Sequence, residues 1–298
     1  MSYQSLLRDH LINYKVSNLG VEDDGFWRNK PYRHILPKEL YALNILDTIR
    51  ENFWEYFNSQ ETLKMHRYFY HLNSSQAMYF NLFFPFIMDK KKYLNILLDT
   101  LDLPLKGVSE VSLEKIIDKS EGTNFDFYIG YENGMQMIFE IKLQEKAFAS
   151  TQNDEEHNKK LKRIYKKRMR NIISTRFHNR MVFFKNYQLI RILTYLGYSD
   201  KTRLFFIIPF ENKPLENKTA ELIHYLVDGK FEDRINIGFL ENLVSALVSR
   251  CEAEKIPLLK KHFDHFTTKY IVASKIPVKL KKPLTHPLYT RYAKLIWA

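Results

Sequence analysis

The spacing of apolar residues predicts helices in the N-terminal third of the chain. Apolar side chains recur at helical spacing over residues 36–57. An almost wholly apolar helix is predicted from residue 74 to Pro85, a residue that should kink or end it. Another helix is predicted over residues 90–101. Residues 1–35 mix polar and aromatic side chains without a clear period, so no element is predicted there.

In the middle of the chain the pattern changes from the helical period to the alternation of β-strands. Apolar and polar side chains alternate over residues 108–115, 124–131 and 135–143, and three strands so close together should pair as an antiparallel meander. An apolar strand over residues 203–210 follows a helical segment and can lie parallel to a neighbour. Another strand is predicted over residues 234–240. This order predicts an α/β fold with a central mixed sheet, a meander plus a crossover strand, flanked by helices.

The segment between the third and fourth predicted strands carries further helical signal. Residues 146–160 are polar without an apolar period and are predicted to form a loop or lid. Residues 161–172 predict an amphipathic helix, and residues 179–196 an apolar helix with a polar stripe that includes Gln188 and Arg191. Three more helices are predicted over residues 215–227, 241–251 and 258–271.

No internal repeat, low-complexity tract or linker divides the chain, so residues 1–298 are expected to form one elaborated domain. Its core is expected over about residues 64–210. Residues 1–63 would form a helical N-terminal extension, and residues 211–298 an extension of strand, helices and a basic C-terminal tail.

The amount and distribution of charge indicate which class of molecule the protein binds. The formal net charge is +12, and residues 159–185 carry eleven Lys and Arg and no acid, while residues 255–298 carry ten and one acid. Two basic segments are typical of a protein that binds a polyanion, most simply nucleic acid. The alternative interpretation is a set of solvated helix faces, and charge alone does not decide between them.

Cysteine usage and hydropathy indicate the compartment. The single cysteine, Cys251, excludes an internal disulfide framework and suits a reducing cytoplasm. The longest apolar runs are too short to span a bilayer, which takes about 20 residues. A soluble, cytoplasmic protein without a membrane partner is therefore expected.

Three charged residues interrupt the second and third predicted strands: Asp126, Glu140 and Lys142. Strand alternation places all three on the face opposite the large apolar side chains. A three-residue turn over residues 132–134 would set Asp126 opposite Glu140, whereas a two-residue turn would set it opposite Ile141, on the wrong face. The three-residue turn, with a left-handed glycine, is therefore predicted.

Two neighbouring carboxylates predict a metal site. They repel each other unless a cation lies between them, and hard oxygen ligands favour Mg²⁺ or Mn²⁺. Asp126 and Glu140 are the expected ligands, with the backbone carbonyl of Ile141 as a third and Glu114 as a further candidate. Lys142 would offset charge on a phosphate under attack by water. No small-molecule cofactor is expected, because no glycine-rich phosphate loop is present.

These residues also carry a resemblance to a known superfamily. Asp126, thirteen intervening residues, and then Glu140, Ile141 and Lys142 on an apolar strand resemble the PD-(D/E)XK phosphodiesterases, although Phe125 stands where the motif name has proline. The resemblance implies a restriction-endonuclease-like core in which Asp126 and Glu140 hold the metal and Lys142 is the catalytic lysine.

A second resemblance covers about half of the chain, roughly residues 64–210. It is to a group of uncharacterised bacterial restriction-endonuclease-like proteins. The similar segments are LNSSQAMYFNLFFPF, EGTNFDFYI, FEIKLQEKAF and YQLIR, in that order. The likeness implies a role in defence or in mobile-element biology.

Other polar residues are candidates for substrate binding. Gln76 should pack beside the site, and Gln188 and Arg191 form the polar stripe on their helix; for all three, structural hydrogen bonding is the alternative. Cations on the exposed face of the amphipathic helix are expected to contact the DNA backbone: Lys159, Arg163, Lys166, Lys167 and Arg170.

The combined interpretation is a Mg²⁺-dependent endonuclease that hydrolyses DNA. The alternatives are a nuclease for RNA or branched DNA, and a non-catalytic nucleic-acid-binding protein on a nuclease fold. The sequence leaves a homodimer open.

Overall fold

A computed structural model of the protein describes residues 1–61 and 63–272. The predicted basic tail beyond residue 272 lies outside the described residues. The helices are α1 (Tyr3–Leu19), α2 (Arg50–Ser59), α3 (Ser75–Met88), α4 (Lys90–Thr100), α5 (Glu155–Lys160), α6 (Lys166–Met169), α7 (Arg180–Lys185), α8 (Tyr187–Leu193), α9 (Lys213–Leu226), α10 (Leu240–Ala253) and α11 (Pro257–Tyr270). The strands are β1 (Gly25–Trp27), β2 (Lys30–Tyr32), β3 (Val108–Ile116), β4 (Asn124–Tyr131), β5 (Gln136–Ile141), β6 (Thr202–Ile208) and β7 (Ile235–Phe239).

A five-stranded mixed sheet in the order β3-β4-β5-β6-β7 organises the fold. Strand β4 pairs antiparallel with both β3 and β5, while β6 lies parallel to β5 and β7 parallel to β6. The parallel strands are reached through helices, because a parallel pair needs a long crossover. The predicted α/β class with a mixed sheet flanked by helices is confirmed. The sheet has two parallel strands where the predicted architecture counted one crossover strand, and the separate β1–β2 hairpin was not predicted.

The predicted turn between β4 and β5 is confirmed. The N–H of Tyr131 donates to the carbonyl of Met135, and Gly134, at φ +80°, donates back to Tyr131. The ladder pairs Phe127 with Phe139, so the next step sets Asp126 opposite Glu140. A three-residue loop with a left-handed glycine thus produces the register that brings the two acids together.

Two hydrophobic cores lie on opposite faces of the sheet. One contains Phe127, Phe139 and side chains of α1–α4, α10 and α11, and the other contains Ile138, Phe206 and side chains of α6–α9. The prediction that one face of the hairpin is apolar and the other chemical was therefore wrong. Both faces are apolar along most of their length, and the charged residues occupy only one end of the sheet.

Several helix predictions need correction. Helix α1 was missed, although its buried Tyr3, Leu7 and Leu11 recur every four residues. The helix expected over residues 36–57 is a 3₁₀ segment, Lys38–Asn44, and then α2. Between the two, the backbone N–H of Leu46 donates to Asn81, which holds the chain out of helical geometry.

Pro85 does not end its helix, which continues to Met88. A proline at this position leaves the carbonyl of Asn81 without its helical N–H partner. His262 supplies the missing donor, with its Nε2 at 2.7 Å from that carbonyl. A contact from a distant helix therefore compensates the interruption that the sequence pattern indicated.

The segment expected as a loop or lid is partly helical, since α5 lies within it and is followed by a π-helical turn, Leu161–Tyr165. The amphipathic pattern after it is confirmed. Its apolar residues are buried, namely Leu161, Tyr165, Met169 and Ile172. The single helix expected over residues 179–196 is instead divided into α7, α8 and a 3₁₀ turn.

Acidification is expected to destabilise the protein through His262. Burial lowers the pKa of this imidazole to about 4, and its Nδ1 lies 2.6 Å from Thr48 Oγ1. Between pH 6.5 and 4.5 the unfolded chain binds the proton and the folded chain does not, so stability falls as pH falls, by about 2 kcal/mol from this group. Urea unfolding of the wild type and of His262→Gln across that range should show a shallower slope for the variant.

His10→Gln is the matched control, because His10 is a surface histidine whose Nε2 contacts the carbonyl of Thr268. It should keep the wild-type slope. Equal slopes for the wild type and His262→Gln would contradict the assignment of this pH dependence to His262.

Candidate active site

Three acidic residues form a row across neighbouring strands at one end of the sheet. The β3–β4 ladder pairs Leu113 with Phe127 and Lys115 with Phe125, which places Glu114 opposite Asp126. Glu140 follows on the other side of Asp126. Lys142 lies one residue beyond the end of β5, where its backbone N–H donates to the carbonyl of Ile207.

Lys142 contacts Glu140, and Asp126 bonds to the backbone between these two residues. Lys142 Nζ donates to Glu140 Oε1 at 2.6 Å, and the N–H of Ile141 donates to Asp126 Oδ2 at 2.6 Å. Gln188, from α8, donates to the same Glu140 oxygen at 2.8 Å. Among the described residues, none donates a hydrogen bond to Asp126 Oδ1 or Glu140 Oε2. Each carboxylate therefore has one oxygen that a further ligand can use.

The electrostatics of the site are those of a cluster with excess negative charge. Burial, and then repulsion by Glu140, raise the pKa of Asp126 well above its ordinary value. Burial opposes the charge on Lys142, but the carboxylates of Glu140, Glu145 and Asp126 outweigh it and raise the pKa of the lysine. Lys142 is therefore a cation at neutral pH, and a second cation would relieve the remaining repulsion.

Both carboxylate oxygens of Glu114 accept hydrogen bonds from neighbouring side chains. Its Oε1 accepts hydrogen bonds from Gln76, at 2.7 Å, and from Tyr79, and its Oε2 accepts one from Asn124. Burial raises the pKa of this carboxyl. The backbone of Glu114 has φ +52°, a left-handed conformation that costs a non-glycine residue roughly 1–3 kcal/mol. Glu114 thus stands beside the open carboxylates with both of its own oxygens used.

The three other polar candidates have different positions. Gln76 supports Glu114, and Gln188 supports Glu140, so both contact the acidic row. Arg191 turns away from it, and its Nε donates to Glu121 Oε1 at 2.8 Å and to Thr123 Oγ1 at 3.0 Å. That arrangement matches the structural alternative for Arg191.

Glu145 orders the turn that follows the site, a role that the sequence left undetermined. Its Oε2 accepts the N–H groups of Leu143 and Gln144 at 2.9 and 3.0 Å, and its Oε1 accepts the hydroxyl of Ser75 at 2.6 Å. Because Leu143 follows Lys142 directly, this carboxylate helps to fix the direction of the lysine. Its position three residues after Lys142 was the available signal.

The predicted DNA-contacting cations lie on the exposed side of their helical segment, namely Lys159, Arg163, Lys166, Lys167 and Arg170. Lys159 pairs with Glu155 at 2.7 Å. Arg163, Lys167 and Arg170 line one open cavity of about 580 Å³. Arg168 also lines it, and its Nη1 is buried without a hydrogen-bond partner among the described residues. This cavity is a cationic surface that an anionic group could occupy.

The open carboxylate oxygens of the site fit Mg²⁺ better than they fit a metal ion whose ligands all come from protein side chains. Within the described part of the chain, no group of three or more His, Cys, Asp or Glu side chains is arranged as a metal site. Mg²⁺ is commonly held by one or two carboxylates and keeps its remaining positions for water and substrate oxygens. Two open carboxylate oxygens on adjacent strands, in a cluster with excess negative charge, are the ligands that such an ion needs.

The fold and the site together define an α/β protein with two carboxylates and a lysine at the end of a mixed sheet. The chain belongs to the family described as "Restriction Endonuclease associating with ARP", whose family model matches residues 8–271. The family is restriction-endonuclease-like, and membership in it supports a nuclease-like function. Comparisons with curated proteins and with solved structures gave no significant match. Among the described residues, no helix has the length and hydropathy needed to cross a membrane.

Proposed function

We propose that the protein is a Mg²⁺-dependent endonuclease of the PD-(D/E)XK type that hydrolyses phosphodiester bonds in DNA, with Mn²⁺ as an alternative metal. One observation carries the proposal. Asp126 lies opposite Glu140 in the β4–β5 register, and Lys142 Nζ lies 2.6 Å from Glu140 Oε1. A non-catalytic DNA-binding protein would have little need for two facing acids and a lysine bonded to one of them at the end of a sheet.

Asp126 and Glu140 would hold the metal through Oδ1 and Oε2, with the backbone carbonyl of Ile141 as the third protein ligand. The bound ion would supply Lewis-acid stabilisation of charge on the phosphate oxygens and a more acidic water. Glu114 is left out of the ligand set, because both of its oxygens already accept hydrogen bonds.

The protein's own groups orient the site. The N–H of Ile141 fixes the Asp126 carboxylate through Oδ2, and Gln188 and Lys142 fix the Glu140 carboxylate through Oε1. The second carboxylate oxygen of Asp126 and that of Glu140 are left for the metal. Lys142 remains protonated, so it can neutralise charge that develops on the phosphate and orient the attacking water.

The DNA backbone would lie along the exposed cations of the helical segment from α5 to α6. Three of these side chains, Arg163, Lys167 and Arg170, line one cavity, and the partly buried Arg168 lines it as well. Phosphate contacts of this kind position the duplex and do not read its sequence. The affinity for DNA should therefore fall steeply with salt concentration.

Cleavage of DNA is expected to require a divalent metal and Asp126. Plasmid, linear duplex and RNA substrates should be incubated with the protein in Mg²⁺, in Mn²⁺ and in excess EDTA. EDTA should abolish cleavage of DNA, and added Mg²⁺ should restore it. Asp126→Asn keeps an acceptor for the N–H of Ile141 while it removes the charge, and it should lower the cleavage rate at least about 100-fold.

Asp200→Asn is the control, because Asp200 is an exposed acid outside the acidic row. It should cleave at the wild-type rate. Cleavage that survives EDTA, or equal rates for the wild type and Asp126→Asn, would refute the proposal. Cleavage of RNA alone would keep the site and change the substrate class.

A further inference from the structure

The cavity beside the helical segment from α5 to α6 is enclosed by three parts of the chain. Its volume is about 580 Å³, and its lining comes from Ser120, from residues 163–172 and from residues 194–198. No Asp or Glu of the described chain lines it. Sites for small ligands commonly have volumes of about 300–1,000 Å³. The cavity is therefore large enough for a nucleotide and has the charge to bind an anionic one.

Helical spacing places three of the cations together. Arg163, Lys167 and Arg170 are four and three positions apart, so they stand on one face of the helical segment, and all three are exposed. In the described part of the chain, no carboxylate lies within ion-pair distance of any of them, whereas Lys159 and Lys160 of the same segment are paired. Like charges at this spacing repel and destabilise a helix. The cluster therefore becomes favourable when an anion is bound.

The fourth cation, Arg168, is fixed in the wall of the cavity. Its Nη2 donates to Asp118 Oδ2, and its guanidinium lies 4.8 Å from the ring centroid of Tyr198. The same carboxylate accepts the hydroxyl of Tyr198 at 2.7 Å and that of Ser120 at 2.6 Å. Asp118 thus holds three lining side chains in place without lining the cavity itself. Groups that are already ordered cost less free energy when a ligand binds them.

The balance of charge favours a doubly charged phosphate. Asp118 offsets Arg168, and the other three cations have no counter-ion among the described residues. A phosphodiester within a DNA strand carries one negative charge, whereas a phosphate monoester carries about −1.5 to −2 at pH 7. A cavity closed on three sides also suits the end of a strand or a single nucleotide, because a duplex backbone continues in both directions.

Tyr198 provides an aromatic surface beside these cations. Its ring stacks on Tyr195 with centroids 4.8 Å apart, and it remains 42% exposed where it lines the cavity. Aromatic side chains bind sugars and bases of any sequence through apolar contact and stacking. The nucleoside attached to a bound phosphate can therefore contact this ring.

We infer that the cavity binds the terminal phosphate of a nucleotide, either at the end of a DNA strand or on a free nucleotide. Arg163, Lys167 and Arg170 would contact the phosphate oxygens through charge-assisted hydrogen bonds, and Tyr198 would contact the nucleoside. Such a site differs from the contacts along the DNA backbone, because it distinguishes phosphorylated from unphosphorylated ends. The strand-end form rests on the proposed nuclease function for its substrate, and the free-nucleotide form does not.

Binding of matched ligands with and without a terminal phosphate tests the inference. With an Asp126→Asn protein, which does not consume DNA, fluorescence anisotropy should be measured on a short duplex with phosphates at all strand ends and on the same duplex with hydroxyl ends. Deoxyadenosine monophosphate and deoxyadenosine should be titrated by calorimetry. In at least one pair, the phosphorylated ligand should bind about tenfold more tightly. Arg163→Gln combined with Lys167→Gln should reduce that ratio to less than about twofold.

Lys162→Gln combined with Lys166→Gln is the matched control. It removes the same charge from exposed positions of the same segment that do not line the cavity. It should weaken both members of a pair equally and keep their ratio. The inference is overturned if neither phosphorylated ligand is preferred, or if the two double variants change the ratio alike.

The two pairs of ligands also separate the two sources of the phosphate. A preference in the duplex pair alone identifies the end of a strand, and a preference in the mononucleotide pair alone identifies a free nucleotide. Cleavage of plasmid by the protein with Asp126 intact reports separately on the nuclease function. A wild type that prefers phosphorylated ligands and never cuts DNA would refute the nuclease and leave the phosphate site standing.

Discussion

Lys142→Ala is expected to lower the single-turnover rate of DNA cleavage by on the order of 1,000-fold. The substitution removes the cation that contacts Glu140 and leaves the neighbouring carboxylates of Asp126 and Glu145 without it. Charge that develops on the phosphate would then meet uncompensated negative charge. Rates should be measured with enzyme in excess over a labelled duplex at saturating Mg²⁺, so that turnover and product release do not contribute.

Lys115→Ala is the matched control for this prediction. Lys115 also pairs with a glutamate on a strand, Glu110, at 2.5 Å, but that pair is half-exposed and lies outside the proposed ligand set. Its loss should change the cleavage rate by less than about twofold, as expected for a solvent-exposed ion pair. Comparable loss of activity in both variants would show that Lys142 acts through general stability.

Glu121→Ala is expected to lower the free energy of unfolding by about 3 kcal/mol. This buried carboxylate accepts hydrogen bonds from Arg191 at 2.8 Å, from Tyr195 at 2.8 Å and from Tyr165. Alanine would leave these donors without their acceptor in a poorly solvated place. Urea unfolding at pH 7, followed by circular dichroism, measures the loss.

The same carboxylate should make stability depend on pH. Burial opposes its charge, but hydrogen bonds from Thr123 and Tyr165 and the charge of Arg191 outweigh burial and lower its pKa. The unfolded chain therefore binds the proton first as pH falls, and the contribution of Glu121 is lost on acidification below about pH 4.5.

Glu155→Ala provides the comparison for Glu121. It breaks an ion pair with Lys159 in which both side chains are mostly exposed, so the change should stay below about 0.5 kcal/mol. If Glu121→Ala costs no more than this control, the cluster around Glu121 does not hold the β3–β4 loop against α8.

The β4–β5 hairpin shows how much of the site local sequence can predict. Alternation of apolar and polar residues assigned the faces of each strand, and only a three-residue turn could set Asp126 opposite Glu140. The structure has that turn, with Gly134 left-handed. Both features depend on residues within one short segment, so they can be derived without the rest of the fold.

The β1–β2 hairpin could not be predicted from local sequence in the same way. Its strands have three residues each, and its turn, Arg28 and Asn29, contains no glycine, so the usual hairpin signal is missing. The contact that orders it is made by Tyr68, about forty positions along the chain. No periodicity within residues 1–35 could have shown it.

Arg191 was a candidate for substrate binding and instead pairs with Glu121, a residue 70 positions away. Pro85 was expected to disturb its helix, which continues because His262 donates to Asn81. In each case the outcome depended on a partner distant in sequence. A polar residue on an apolar helix therefore indicates that a partner exists, and the sequence alone does not identify that partner.

Local sequence was enough to derive the α/β class, the register of β4 with β5, and the proximity of Asp126, Glu140 and Lys142. Those features follow from the period of the backbone and from one turn. It is the packing of distant segments that places Gln188 on Glu140 and Gln76 on Glu114. The physical reason is that burial and hydrogen bonding between distant segments depend on how the helices and strands pack.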